Sequence, residues 1–151
     1  MVSGRGERVR PLPPADLKWV LVVTPPIDLP HKTASLYARL DAGVFTRGTL
    51  TRKLGARIGM GGDVPPQFLF NAFDDVAFDA FPDLERYWNA CYSLGAREIH
   101  LAGSGPSIFA PVSRKEIGTA IELLLKHRFN SDARLVSTVQ LAGRTEETVR
   151  C

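Results

Sequence analysis

The feature that most constrains this chain is a short glycine-rich break, Gly-Ser-Gly-Pro at residues 103–106, between two apolar stretches. Residues 98–102 alternate through Ile99 and Leu101, and residues 107–112 resume as a second apolar stretch. Because glycine adopts the left-handed backbone conformations that tight turns require, the break predicts a turn that joins two antiparallel strands.

The other elements are predicted from hydrophobic periodicity and from glycine and proline breaks. The predicted strands cover residues 17–23, 98–102, 107–112 and 134–141. The predicted helices cover residues 33–40 and 49–58, a segment from Asn71 to Gly95 that Pro82 interrupts, and residues 113–129. This order predicts an α+β fold, namely a ferredoxin-like, split βαβ antiparallel sheet with its helices on one face and an extra helical insertion.

Length and composition fit a single domain. The chain has 151 residues, of which 44% are hydrophobic and 23% are charged, which is enough for one hydrophobic core. We therefore expect one domain over residues 1–151, in which residues 8–14 end a strand in a proline-rich turn. Residues 143–151 are mainly polar and are expected to form a flexible tail.

Charge and residue usage argue against several other classes. The pI of about 9.1 raises the alternative of an RNA-binding domain, but the basic residues are scattered and the strands lack base-stacking aromatics. No apolar run is long enough to cross a bilayer and residues 1–10 lack a secretory signal, so a cytoplasmic protein is expected. Cys91 and Cys151 lie far apart, and the histidines lack metal-ligand spacing, so neither a disulfide nor a metal site is predicted.

Two pairs of polar residues have the spacing of helix caps. Asn71 is predicted to be an N-cap, with Asp74 three residues later reaching back to the backbone N–H of the cap. Capping explains this pair better than a catalytic or Mg²⁺-binding role does. Ser113 and Glu116 predict a second capping box at the start of the following helix.

The glycine-rich segment has two interpretations, which can hold together. It is a turn between paired strands, or it also binds a ligand, because Gly103 and Gly105 let backbone N–H groups approach an anionic phosphate or a polar substrate. Ser104 and Ser107 would add hydroxyl contacts. Thr33 either contacts the same substrate through its hydroxyl or caps the helix that follows it.

Three segments together resemble one family. They are G-R-G-E-R-V with P-L-P-P at residues 4–14, N-A-F-D-D-V at residues 71–76 followed by Phe78 and Pro82, and L-A-G-S-G-P-S-I-F-A at residues 101–110. In this order and spacing they are similar to the C-terminal half of the 4-diphosphocytidyl-2-C-methyl-D-erythritol kinases, of the GHMP kinase superfamily. The resemblance runs from about residue 4 to residue 141, and it departs from the family at Ile27, where an aromatic residue is frequent, and at Lys32, where a serine is common.

The resemblance implies a GHMP kinase C-terminal domain, with residues 4–14 as the remnant of a strand between two lobes. Such kinases transfer the γ-phosphate of ATP, with Mg²⁺, to a hydroxyl of 4-diphosphocytidyl-2-C-methyl-D-erythritol, on the non-mevalonate route to isoprenoids. Their N-terminal lobe, missing here, supplies the phosphate loop, a lysine and the catalytic aspartate. The chain alone is therefore expected to be inactive, with no catalytic or metal-binding residue and no tight binding of ATP. The resemblance implies substrate binding by Gly103, Ser104, Gly105, Ser107 and Thr33.

Two alternatives stay open at this point. The chain could be the corresponding lobe of another GHMP kinase, such as a homoserine or mevalonate kinase, because these share the glycine-rich motif. It could also be a free-standing ferredoxin-like binding or regulatory module, which would need no catalytic residues and could form a homo-oligomer. The sequence leaves open whether the chain is a fragment or a lobe that stands alone.

Overall fold

The computed structural model describes residues 1–41, 43 and 46–138. The strands are β1 (Val2–Ser3), β2 (Arg8–Val9), β3 (Trp19–Thr24), β4 (His100–Leu101), β5 (Ile108–Val112) and β6 (Asp132–Ser137). The helices are α1 (Lys32–Tyr37), α2 (Thr49–Gly59), α3 (Ala77–Ala80), α4 (Leu84–Ser93) and α5 (Lys115–Phe129), with 3-10 turns at Pro66–Phe68 and Asp74–Val76. No helix in the described ranges is long and apolar enough to cross a bilayer.

Four strands form one antiparallel sheet in the order β4-β5-β3-β6. The central strand β3 pairs Leu21 with Ala110 of β5 on one side and with Leu135 of β6 on the other. Helices α1 to α4 lie between β3 and β4 in the chain, and α5 lies between β5 and β6. This is the split βαβ arrangement, so the predicted α+β class is confirmed. Strands β1 and β2 form a separate two-stranded hairpin.

The hydrophobic core lies between one face of this sheet and helices α4 and α5. Alternate residues of β3 and β5 point into it, because successive side chains of a strand face opposite sides. The core members that are almost fully buried include Leu21, Val23, Phe81, Leu84, Tyr87, Ile108, Ile121 and Leu125. The helices thus cover one face of the sheet, as the fold prediction requires.

Gly118 lets α5 pack closely onto the sheet. A Cβ atom at this position would collide with the Leu135 side chain and come within 3.0 Å of Cγ2 of Val112. Glycine weakens a helix interior by roughly 1 kcal/mol relative to alanine, so its presence here indicates that the close contact outweighs that cost.

Most predicted elements are present, with shorter ends. The segment after Asn71 is divided around Pro82 into a 3-10 turn, α3 and α4, and Gly95 ends α4 at φ +106°. The predicted capping box at Ser113 is wrong, because Arg114 is the N-cap of α5 and no side chain caps the helix. The predicted last strand begins earlier, at Asp132. Its end at residues 139–141 and the predicted tail at residues 143–151 lie outside the described residues.

One backbone N–H on the outer edge of β6 donates a hydrogen bond to a carboxylate from α5. Glu122 accepts a hydrogen bond from the backbone N–H of Leu135 at 2.9 Å and one from Nζ of Lys126 at 2.6 Å. The hydrogen bond from Lys126, followed by that from the Leu135 N–H, lowers the pKa of the Glu122 carboxyl below its usual value of 4.5. An unpaired donor at a sheet edge is thereby covered.

We expect Glu122 to contribute stability that depends on pH. Because its pKa is lower in the folded chain, the contribution is present above pH 4.5 and is lost as the pH falls through the folded pKa. Urea unfolding of Glu122→Gln should therefore show a smaller loss of stability on acidification than wild type. Glu85→Gln, on the exposed side of α4, is the control. Identical acid dependence in wild type and Glu122→Gln would contradict the assignment.

Cys91 is buried in the core, and burial raises the pKa of its thiol to about 12. The thiolate is the reactive form, so we expect Cys91 to be nearly inert in the folded chain. In a Cys151→Ser variant, Ellman's reagent at pH 8 should label Cys91 slowly without denaturant and completely in urea. Full labelling within the mixing time under native conditions would show that the thiol is accessible.

Candidate functional site

The glycine-rich segment forms a turn between β4 and β5, as predicted. Gly103 and Gly105 both have left-handed backbone angles, with φ of +63° and +61°. The turn is closed by the N–H of Ala102, which donates to the Ser107 carbonyl at 2.8 Å. Inside it, the N–H of Gly105 donates to the Ala102 carbonyl at 3.1 Å. We call residues 103–107 the glycine loop.

A cleft of about 600 Å³ lies beside the glycine loop. Its walls are residues 27–34, which follow β3 and enter α1, together with Pro106 of the loop. Ile27 and Leu29 give it an apolar side, and both pack against the core. Asp28, His31, Lys32 and Thr33 supply the polar lining.

Side-chain hydrogen bonds join the glycine loop to α1 and β3. Thr33 Oγ1 lies 3.0 Å from Ser104 Oγ, although the two residues are 71 positions apart in the chain. Ser107 donates its hydroxyl to Thr24 Oγ1 at 3.2 Å. The fold therefore brings Thr33 next to the loop residues with which it was grouped from the sequence, while their role in substrate binding remains a prediction.

The alternative role of Thr33 as a helix cap is wrong. The N-cap of α1 is His31, in a left-handed conformation at φ 54°, and its side chain makes no capping bond. Thr33 lies inside the helix, so its hydroxyl is directed to Ser104 instead. Sequence reasoning missed the contribution of Lys32, whose Nζ donates to the Gly105 carbonyl at 2.6 Å. The only signal for it was the departure from the family's usual serine.

Several backbone N–H groups of the glycine loop make no hydrogen bond within the described part of the chain. The carbonyls of Gly103, Gly105 and Ser107 all accept hydrogen bonds within the chain. In contrast, the N–H groups of Gly103, Ser104 and Ser107 donate to no acceptor among the described residues. The carbonyls of Ser104 and Pro106 likewise accept no hydrogen bond from the described residues. The three free N–H groups suit a ligand that presents acceptor oxygens, such as a phosphate or a hydroxyl.

Asn71 holds the start of the glycine loop from the side opposite β5. Its Nδ2 donates to the carbonyls of Leu101 and Gly103 at 2.9 and 2.8 Å. Its Oδ1 accepts from the N–H of Phe73 at 3.0 Å. Asn71 was predicted to be an N-cap, but Phe73 is the N-cap of the 3-10 turn that follows, so this prediction is wrong. The two bonds to the strand and the loop were not predicted, because they depend on which segment lies beside β4.

The expectation that Asp74 reaches back to the N-cap is wrong. Its Oδ1 accepts from the backbone N–H of Leu101 at 2.8 Å, and its Oδ2 lies 2.7 Å from Nδ1 of His100. The carboxylate is thus engaged by β4, because the 3-10 turn at Asp74–Val76 lies against the free edge of that strand. His100 is buried, and its Nε2 has no hydrogen-bond partner within the described part of the chain.

The structure offers no ready metal site in the ranges that it describes. No three or more His, Cys, Asp or Glu side chains gather where they could hold a metal ion. The polar groups that line the cleft are instead a mixture of hydroxyl, ammonium, imidazole and one carboxylate. Such a mixture suits hydrogen bonding to a polar ligand.

Comparison with known families and proteins places the site in context. The family model for the GHMP kinases C terminal matches residues 65–129, which include Asn71, Asp74 and the glycine loop. A 4-diphosphocytidyl-2-C-methyl-D-erythritol kinase of Dehalococcoides mccartyi is 39% identical over 140 residues, covering 92% of this chain and 49% of the relative. The corresponding kinase of Symbiobacterium thermophilum is 33% identical over 127 residues, covering 78% of this chain and 42% of the relative.

Two solved structures share the fold. A crystal structure of 4-(cytidine 5'-diphospho)-2C-methyl-D-erythritol kinase superposes with a TM-score of 0.67 at 21% identity, over 90% of this chain and 48% of that chain. A crystal structure of homoserine kinase from Cytophaga hutchinsonii superposes with a TM-score of 0.50 at 22% identity. The superposition covers 85% of this chain and 44% of that chain. At these identities the likeness concerns the fold alone. The chain spans about half the length of the curated relatives it matches.

The two loop glycines should differ in their tolerance of alanine. At Gly103 an added Cβ meets nothing within 4 Å, so only the left-handed backbone opposes it, at about 1 kcal/mol. At Gly105 the Cβ would also lie 2.8 Å from Cδ2 of Leu101 and 3.2 Å from Phe81. We expect Gly105→Ala to lower the free energy of unfolding by more than about 2 kcal/mol, measured by urea denaturation. Equal losses for the two variants would contradict this packing.

Proposed function

The chain carries the C-terminal domain of the GHMP kinases, and from that premise we propose that it is the substrate-side lobe of a 4-diphosphocytidyl-2-C-methyl-D-erythritol kinase. The similarity to these kinases extends over 92% of the chain, well beyond the residues of the family model. The partner in this proposal is the N-terminal lobe of such a kinase. We propose that the protein acts in the cytoplasm, on the non-mevalonate route to isoprenoids.

The observation that carries the proposal is the meeting of Thr33 and Ser104 at the edge of the cleft, 3.0 Å apart. Their hydroxyls can bind substrate oxygens, and the free N–H groups of the glycine loop add further donors. Hydrogen bonds to a charged group contribute roughly 1.5–3 kcal/mol each, so two or three of them would fix the orientation of a substrate that carries phosphate groups.

The chemistry assigned to this chain is orientation of the accepting hydroxyl. In the reaction the substrate oxygen bonds to the γ-phosphorus of ATP, the bond to the bridging oxygen of ADP breaks, and the hydroxyl proton leaves to a base. Holding the hydroxyl in line lowers the entropic cost of that step. ATP, Mg²⁺ and the base are proposed to be held by the other lobe, as the resemblance to these kinases implies. No step is assigned to Mg²⁺ on this chain.

Titration calorimetry of the chain tests the proposal. We expect binding of 4-diphosphocytidyl-2-C-methyl-D-erythritol and little binding of Mg·ATP. Thr33→Val and Ser104→Ala should each weaken substrate binding by about three- to tenfold, the effect of one lost hydrogen bond. Thr51→Val is the matched control, because Thr51 lies on the exposed side of α2.

Other results would redirect the assignment. Preferential binding of homoserine or mevalonate would support the assignment as a substrate-side lobe, but of a homoserine or mevalonate kinase. A folded chain that binds none of these compounds would favour the free-standing regulatory module, and its oligomeric state would then be the next measurement. Tight binding of Mg·ATP would contradict the proposal that a separate lobe holds the nucleotide.

A further inference from the structure

We propose that Asn71 and Asp74 are positioning residues that hold the glycine loop in its ligand-binding conformation, an inference that rests on the proposed function of the loop. Both act through backbone groups of β4 and the loop. Because the next residue, Ala102, bonds across to Ser107, the N–H and carbonyl of Leu101 point away from β5. A short segment from another part of the chain occupies that free edge.

Asn71 is suited to this role by having two donors on one atom. Its Nδ2 bridges the Leu101 carbonyl, at the end of β4, and the Gly103 carbonyl, at the start of the loop. Its orientation is fixed, because its Oδ1 is the acceptor for the Phe73 N–H. An amide can meet these partners in only one orientation, so Asn71 sets the direction in which the chain leaves β4.

Asp74 completes the same edge. Its Oδ1 accepts from the Leu101 N–H, and its Oδ2 lies 2.7 Å from His100 Nδ1. Together the two side chains satisfy both backbone groups of Leu101. They replace the neighbouring strand that β4 lacks.

The hydrogen bonds of Asn71 affect the cleft because they fix the position of the glycine loop. With the Leu101 and Gly103 carbonyls held on one side, the other side of the loop meets α1 through Ser104 and Gly105. Engaging the Gly103 carbonyl also removes one acceptor from the loop, whose N–H groups at Gly103, Ser104 and Ser107 donate to no acceptor among the described residues. At the opposite edge of the sheet, Glu122 binds the Leu135 N–H in the same way but does not line the cleft beside the glycine loop. A variant of Glu122 therefore shows the effect of losing a hydrogen bond at a sheet edge without any change at the glycine loop.

The decisive variant is Asn71→Asp, which keeps the shape of the side chain but cannot donate to either carbonyl. Amide hydrogen exchange followed by NMR should become about tenfold faster at the hydrogen-bonded amides of Leu101, Ala102 and Gly105, with α5 unchanged, because two hydrogen bonds that hold this segment are lost. Affinity for 4-diphosphocytidyl-2-C-methyl-D-erythritol should fall by about tenfold. Asp74→Asn keeps an acceptor for the Leu101 N–H and should have a smaller effect. Asp74→Ala, which removes the acceptor of the Leu101 N–H, is the test if Asn71→Asp does not fold.

Two controls distinguish positioning from general stabilisation. Asn89→Asp makes the same substitution on the exposed side of α4, and Glu122→Gln perturbs the other sheet edge. Both should leave loop exchange and affinity unchanged. Unaltered loop exchange in Asn71→Asp, or a uniform increase over the whole chain with unaltered affinity, would overturn the proposal. If wild type binds no substrate, the proposed function fails, and loop exchange alone decides whether these residues hold the loop.

Discussion

An antiparallel sheet of four strands has two open edges, and in this chain side chains rather than further strands engage three of the backbone groups on those edges. At β4, Asn71 and Asp74 engage the N–H and carbonyl of Leu101, and at β6, Glu122 engages the N–H of Leu135. Unpaired edges invite pairing with other chains, so covering them keeps the sheet at four strands. The architecture depends on this because β4 has only two residues and little pairing of its own.

The residues that form the core and the residues of the candidate binding site lie in different parts of the same sheet. The core lies between the helices and one face, where Leu21, Ile108 and Leu125 are almost fully buried. The glycine loop and the cleft lie at the ends of β3, β4 and β5, where the chain leaves the sheet. A loop with two left-handed glycines has little intrinsic preference for one conformation. Its shape is therefore set by neighbours from three distant segments of the chain, which contribute Thr24, Thr33 and Asn71.

The fold and the candidate site differed in how far the sequence could predict them. Periodicity located β3, α2 and α5 within a few residues, because their burial patterns are local and repeat along the chain. It also identified the turn at residues 103–106. The roles of Asn71 and Asp74 were assigned to capping, which is the commonest local use of such residues. The structure directs Asp74 to another strand instead, and no pattern within residues 71–76 encodes that partner.

The sequence by itself determined the class of fold, the turn and the resemblance to the GHMP kinases, since these rest on local periodicity, glycine placement and ordered motifs. Only the tertiary structure decided that Lys32 and Thr33 meet the glycine loop, and that Asp74 pairs with His100. A hydrogen bond between residues far apart in sequence exists only once packing has set their separation to about 3 Å. Local composition cannot specify that distance, because it follows from the sheet order and from the way the inserted helices return to the edge of β4.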